Sequence, residues 1–184
     1  MDGQEPVDPR VLRTRNDVLR TAIEILVADG WDAVTQPRVA RAAGYSKATV
    51  YAHWPERADL VRDALARFGD MPHHEATGDL RTDLIGELVS FRQGMLEHRL
   101  DRVLAVLAER APSVPELVDV RTAFVADGER PMRERLGTVL SGARLEAATV
   151  MLCGLVLDAA LLHGAPPTDE VLAAAVDLVL HGIG

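Results

Sequence analysis

Residues 35–60 read TQPRVARAAGYSKATVYAHWPERADL, and this stretch decides the fold. Thr35 is a side chain that caps helix N-termini, and Pro37 is tolerated in a first turn, so a short helix is predicted through Ala43. Gly44 breaks it and supplies a tight turn. Ser46 is a second capping residue and opens another helix, which runs to His53 or Trp54. Pro55 stops it there, because the residue before a proline is pushed out of the α region. Val39, Ala40, Ala43 and Val50 are small or branched and let the two helices pack closely. Short helix, glycine turn, short helix is the helix-turn-helix arrangement, in which the second helix can lie in a DNA major groove while the first braces it. Val50 and Trp54, four apart, share the inward face of the second helix. Lys47, Thr49, Tyr51 and His53 are exposed on it and can hydrogen-bond phosphates or base edges.

Outward from this core the chain reads as helix after helix. Val18, Ala22, Ile25 and Leu26 recur at helical spacing before Gly30, a good C-cap. A fourth helix places Leu60, Val61, Ala64, Leu65 and Phe68 on one face. Residues 69–78, with Pro72 and the pair His73–His74, read as a linker or interrupted turn. Helices are then predicted over 80–98, 100–110 and 116–140, the last kinked near Gly128 and Pro131. The most apolar helix, 144–163, is expected to be buried on more than one side. Thr168 caps a final helix to His181, with Asp169 and Glu170 favourable against its N-terminal dipole. No stretch alternates as a strand would, so the fold class is all-α. Two modules are expected, 1–68 and 69–184.

Charge and aromatic content divide at the same place. Residues 1–68 hold ten Arg/Lys and ten Asp/Glu, and residues 69–184 hold ten and eighteen, so the net charge of −8 comes wholly from the second part. Within 36–57, Arg38, Arg41, Lys47 and Arg57 face only Glu56, and such a local basic surface can bind phosphate on an acidic protein. Both tryptophans and both tyrosines precede residue 55. Asp158 ends the most apolar run well short of a membrane span, and the acidic, proline-bearing N-terminus is unlike a signal peptide. One cysteine, Cys153, forms no internal disulfide. A soluble cytoplasmic protein is therefore expected. His73, His74, His163 and His181 have no Cys or carboxylate at ligand spacing in the sequence, so neither a metal nor another cofactor is expected. Ser141, Asp158 and His163 lack the local signature of a hydrolase, and no glycine loop cradles phosphate, so the chain does not read as an enzyme.

Residues 35–60 resemble the signature of the TetR family of bacterial transcriptional regulators, roughly T-x-x-x-I-A-x-x-A-G-V-S-x-G-T-[LI]-Y-x-[HY]-F-x-[SN]-K-x-x-L. Thr35, Ala40, Ala43, Gly44, Ser46, Thr49, Tyr51, His53 and Leu60 match without a gap. The resemblance implies an N-terminal helix-turn-helix DNA-binding domain and a C-terminal helical domain for ligand binding and dimerisation. It makes 46–53 the recognition helix, with Tyr51 and His53 on phosphates and Lys47 and Thr49 near base edges. Arg57 stands in the place of a phosphate-anchoring lysine, and Arg38 is a further contact. Three departures stand out: Tyr45 replaces valine and adds a polar handle that could reach DNA, Ala48 replaces glycine, and Glu56 replaces the usual fourth-helix cap.

For the second module the resemblance implies a homodimer and a small-molecule effector. Helices 144–163 and 168–181 are the expected dimer elements, through Val150, Leu152, Leu155, Val156, Ala159 and Leu162 and through Leu172, Val176, Val179 and Leu180, with Gly154 allowing close approach. A ligand cavity is expected among Phe91, Met95, Leu107, Phe124, Val125 and Met151, suited to an apolar molecule. The implied function is a homodimeric repressor released from a pseudo-palindromic double-stranded DNA operator by that ligand. The alternative is a helical protein-interaction module that does not bind DNA.

Overall fold

The computed structural model describes residues 9–66 and 73–182. Nine α-helices follow one another among the described residues: α1 (Pro9–Asp29), α2 (Gln36–Ala43), α3 (Lys47–His53), α4 (Arg57–Ala66), α5 (Leu80–Glu97), α6 (Leu100–Arg110), α7 (Pro115–Leu136), α8 (Gly142–Leu161) and α9 (Asp169–His181). Two 3-10 turns, Trp31–Ala33 and Ala111–Ser113, join α1 to α2 and α6 to α7. Phe68 and the expected 68/69 boundary lie outside the described residues. α1 begins earlier than its apolar pattern, at Pro9, because its first turns are exposed and carry no inward face; Val11 and Leu12 face out.

The N-terminal head is built around α1, which packs on α4 and α2. Its core is Val18, Ala22, Leu26, Val34, Val39, Ala40, Val50, Trp54, Leu60 and Val61, all buried. Tyr45, at the turn, is half-buried against this core, and its hydroxyl donates to Asp17 Oδ2 of α1 at 2.8 Å. Its ring packs on the head core and its hydroxyl is engaged, so the expected reach to DNA would require exchanging Asp17.

The second module packs α5 against α7, α8 and α9, with α6 closing one end. α4 lies against α7 and α1 against α6, and Arg110 of α6 pairs with Asp32 of the head at 2.8 Å, so the two modules touch at several points. α8 is buried along Ala148, Thr149, Leu152 and Val156 only. Its other side is open: Val150, Met151, Leu161 and Leu162 are exposed, Leu162 by 77%. The all-round apolar pattern therefore does not mean burial within one chain.

The described part of the expected linker, 73–78, is an irregular strap fastened to α5. Asp83 accepts from the backbone N–H (2.8 Å) and hydroxyl (2.7 Å) of Thr77 and from Gly78 N–H (3.2 Å). These bonds, led by the Thr77 N–H and helped by His74, hold its carboxyl well below the usual range, at about 2. The His74 ring lies directly over Gly86, where a Cβ would stand 2.3 Å from it, so only glycine fits beneath the strap.

Two outcomes are expected. Tyr45→Phe should destabilise the chain by about 1 kcal/mol, the lower end for a bond to a charged but partly solvated acceptor, seen as a Tm lower by roughly 2–4 °C. Because the Asp83 pKa is depressed on folding, its contribution is complete above its unfolded value and fades as pH falls through about 2. Slow hydrogen exchange at Thr77 and Gly78 N–H should accordingly persist at about pH 5, weaken toward pH 2, and be absent from Asp83→Ala at neutral pH.

Candidate nucleic-acid interface and regulatory cavity

Local chemistry sets the recognition unit. Thr35 Oγ1 accepts from Arg38 N–H at 3.4 Å and starts α2; Gly44, at φ 78°, closes it in the left-handed conformation that glycine adopts without strain. Ser46 Oγ accepts from Thr49 N–H at 3.1 Å and shares a hydrogen bond with Thr49 Oγ1 at 2.8 Å, so α3 starts where its cap dictates. Val50 and Trp54 turn inward. Trp54 is the most constrained side chain of the head. Its Nε1–H donates to Asp63 Oδ2 of α4 at 2.9 Å, Arg15 lies 5.5 Å over the ring, and Arg15 also pairs with Asp63. Buried Gln36 donates from Nε2 to the carbonyl of Pro55 (2.9 Å) and, more weakly, to that of Trp54 (3.4 Å), tying the start of α2 to the end of α3. Nothing local in the sequence marks Gln36, whose partners lie 18 and 19 residues away.

The opposite face of α3 is open. Lys47 and Tyr51, four apart, are exposed on one side of it and His53 is exposed on the other flank, with Ala48 and Ala52 exposed between; Tyr51 is 45% exposed. Thr49 is half-buried and Ser46 is exposed, both engaged at the cap. The two outlying arginines are held back: Arg38 pairs with Asp29 at the end of α1, and Arg57 stacks over Trp31 at 4.2 Å. Arg41 of α2 is exposed, with no ion pair among the described residues. The structure therefore groups Lys47, Tyr51 and His53 with Thr49 and Ser46, flanks them with the engaged Arg38 and Arg57, and leaves Tyr45 out.

A cavity of about 390 Å³ lies in the second module. Its apolar wall includes Leu88, Phe91, Leu104, Phe124, Val125 and Leu157, and Leu65 and Ala66, the last turn of α4, close one side. Of the six residues expected to line it, Phe91, Phe124 and Val125 do so. Met95 and Leu107 are instead buried in the core, and Met151 is 62% exposed on the outer side of α8. The wall is also more polar than expected, with His73, Glu87, Asp127, Glu129 and Arg130. Glu87, buried, is paired with Arg135 at 2.9 Å, accepts from His74 N–H at 2.9 Å and meets His73 Nδ1 at 3.1 Å. Glu129 is paired with Arg133 at 2.9 Å, which also binds Glu146 at 2.7 Å. Cys153 lines the cavity as a thiol, pushed up to about 12 chiefly by burial and secondarily by Glu129.

Glu87 and Asp83, distant in sequence, come beside His73 and His74 in space, yet no group of three His, Cys, Asp or Glu that could hold a metal occurs among the described residues. His163 Nε2 meets Asp158 at 3.2 Å, but Ser141 stands at the far end of α8, ~25 Å away at 1.5 Å per residue. On α8 and α9, Leu152, Val156, Leu172 and Val176 are fully buried within the chain, correcting their expected place at a subunit contact: α9 covers α5 with that face. Gly154, Leu155, Ala159, Val179 and Leu180 are half-buried, and the side facing outward is Val150, Met151, Leu161, Leu162, Val171 and Leu178. No helix among the described residues is long and apolar enough to cross a membrane.

The family model for bacterial regulatory proteins, tetR family, matches residues 18–64. An uncharacterized HTH-type transcriptional regulator of Mycobacterium tuberculosis is 32% identical over 97% of this chain and 92% of its own length. The DNA-binding transcriptional repressor TetR of Mycobacteroides abscessus is 31% identical over 89% of this chain and 90% of its own. Among solved structures, the TetR family transcription regulator SCO0332 superposes with a TM-score of 0.69 at 28% identity, covering 92% of this chain and 98% of that one. With a matched head, relatives similar along nearly their whole length and the same all-helical architecture, the chain belongs to the TetR family of DNA-binding transcriptional regulators.

Proposed function

We propose that the chain acts as a homodimeric repressor that binds a two-fold symmetric operator and leaves it when a small molecule fills the cavity. The observation that carries this reading is the open face of α3: Lys47, Tyr51 and His53 are exposed while the opposite side of the helix is pinned by Val50 and Trp54. In this reading Lys47 and Thr49 approach base edges, Tyr51 and His53 bind phosphate, and Ser46 orients the helix. Arg38 and Arg57 reach phosphate by exchanging Asp29 and Trp31 for it. Two copies related by a two-fold axis present their α3 helices about 34–36 Å apart, one turn of DNA.

The face that fits such a pairing is the outward side of α8 and α9. Val150, Met151, Leu162 and Leu178 are more than half exposed, a concentration of apolar surface that a soluble chain ordinarily covers. Leu155, Ala159, Val179 and Gly154 flank it. A four-helix contact from two copies would bury it. In this reading cavity occupancy reaches DNA through α4, whose Leu65 and Ala66 form part of the cavity wall and whose body packs on α1. A ligand favouring one α4 position shifts the population of head separations. The acidic remainder of the chain limits indiscriminate attachment to nucleic acid.

Selection from random duplexes should enrich a pseudo-palindrome. Lys47→Ala and Tyr51→Ala should each weaken binding to it by about tenfold or more, with Lys47→Ala also relaxing the sequence preference at the base pair it meets. The Tm should stay within about 2 °C, since exposed positions contribute little to stability. Leu162→Arg and Leu178→Arg should each shift the protein toward monomer in sedimentation and weaken operator binding. A folded Lys47→Ala protein with unchanged affinity would falsify the assignment of α3.

A further inference from the structure

Taking the cavity as the effector site, we infer that its ligand is an amphipathic amine: an apolar body carrying one protonated nitrogen. The proposal rests on the reading of the cavity given above and adds the class of molecule.

The wall has two unlike sides. Phe91, Leu88 and Leu104 offer aromatic and aliphatic surface, and about 390 Å³ is within the range of small-molecule sites. Facing the same space are three carboxylates, Glu87, Asp127 and Glu129, against one guanidinium, Arg130. Arg133 and Arg135, which neutralise Glu129 and Glu87, do not line the cavity, and Arg133 is shared with Glu146. Glu87, Asp127, Glu129 and Glu146 against Arg130, Arg133 and Arg135 leave the neighbourhood one charge negative, and Asp127 forms no ion pair among the described residues. An anion entering would meet exposed Asp127 at the rim, then half-buried Glu129 and buried Glu87, where charges interact more strongly than in water.

The backbone adds a second, independent feature. Pro131 lies inside α7 and has no N–H, so the Asp127 carbonyl, four residues before it, lacks its helical donor. Asp127 and Gly128 both line the cavity at its solvent-exposed rim, and a Cβ built on Gly128 meets nothing within 4 Å, so the backbone at this rim is uncovered. A ligand here needs to supply an N–H or O–H donor as well as a positive charge. A protonated amine supplies both, an alcohol only the first, and a carboxylate neither. Phe91 can hold the apolar body while the ammonium faces the Asp127–Glu129 turn.

Calorimetry on the full chain at pH 7 with 4-phenylbutylamine, 4-phenylbutanol and 4-phenylbutyrate separates these, because the three share one body and differ at its end. The amine should bind about tenfold or more tighter than the alcohol, and the acid weakest of all. In Asp127→Asn/Glu129→Gln the advantage of the amine should fall to about threefold or less. Should that pair unfold the chain, Asp127→Asn alone, at an exposed and unpaired position, should still lower it. An alcohol or acid that binds as tightly as the amine overturns the proposal. So does an amine that fails to bind, or a preference that survives both substitutions. Operator affinity with the amine present is read separately: selective binding without release supports this ligand class and counts against the repressor reading instead.

Discussion

The head holds its shape through one buried indole. Trp54 ends α3, and its neighbours come from every helix around it: Arg15 of α1 over the ring, Asp63 of α4 on the Nε1–H, and Gln36 of α2 on the following backbone. A seven-residue helix is far too short to persist alone in water. Its rigidity has to come from caps and from tertiary contacts. Ser46 fixes the beginning and Trp54 the end, leaving the side between them free to face outward. Presenting Lys47, Tyr51 and His53 in a constant geometry therefore depends on contacts made on the other side of the helix.

Much of this was readable before any coordinates. Thr35, Ser46 and Thr168 each cap the helix they precede, because capping is a matter of three residues and one hydroxyl. What sequence does not carry is the identity of the neighbour. Tyr45 looked like a handle for DNA because its partner, Asp17, is 28 residues distant. Leu172 and Val176 form an apolar stripe, and a stripe announces burial without saying whether α5 or a second subunit covers it. The same ambiguity misplaced Met151, which shares an apolar helix with cavity residues yet faces away from them. The polar wall was invisible for a related reason: Glu87 and Arg135 sit on different helices and meet only after α5 and α7 pack.

The second module accommodates buried charge by pairing it. Glu87 is satisfied on three sides, by Arg135, by the His74 N–H and by His73, and Asp83 gathers the Thr77 and Gly78 donors. Isolated burial of either carboxylate would be costly, and removal of one partner from such a network costs more than the intact network gains. The strap is thus held to α5 by polar bonds over a glycine rather than by apolar packing, an attachment specific in direction as well as strength.

Leu65 and Ala66 close the cavity and also terminate α4, which runs back into the head beside α1. One turn of helix is shared property. A substitution there that reshapes the chamber for a bulkier guest also alters the seat of the rod that carries the head. Under the repressor reading proposed above, guest selectivity and DNA spacing therefore do not drift apart freely: adaptation to a new compound through that turn would demand a matching adjustment on the α1 side.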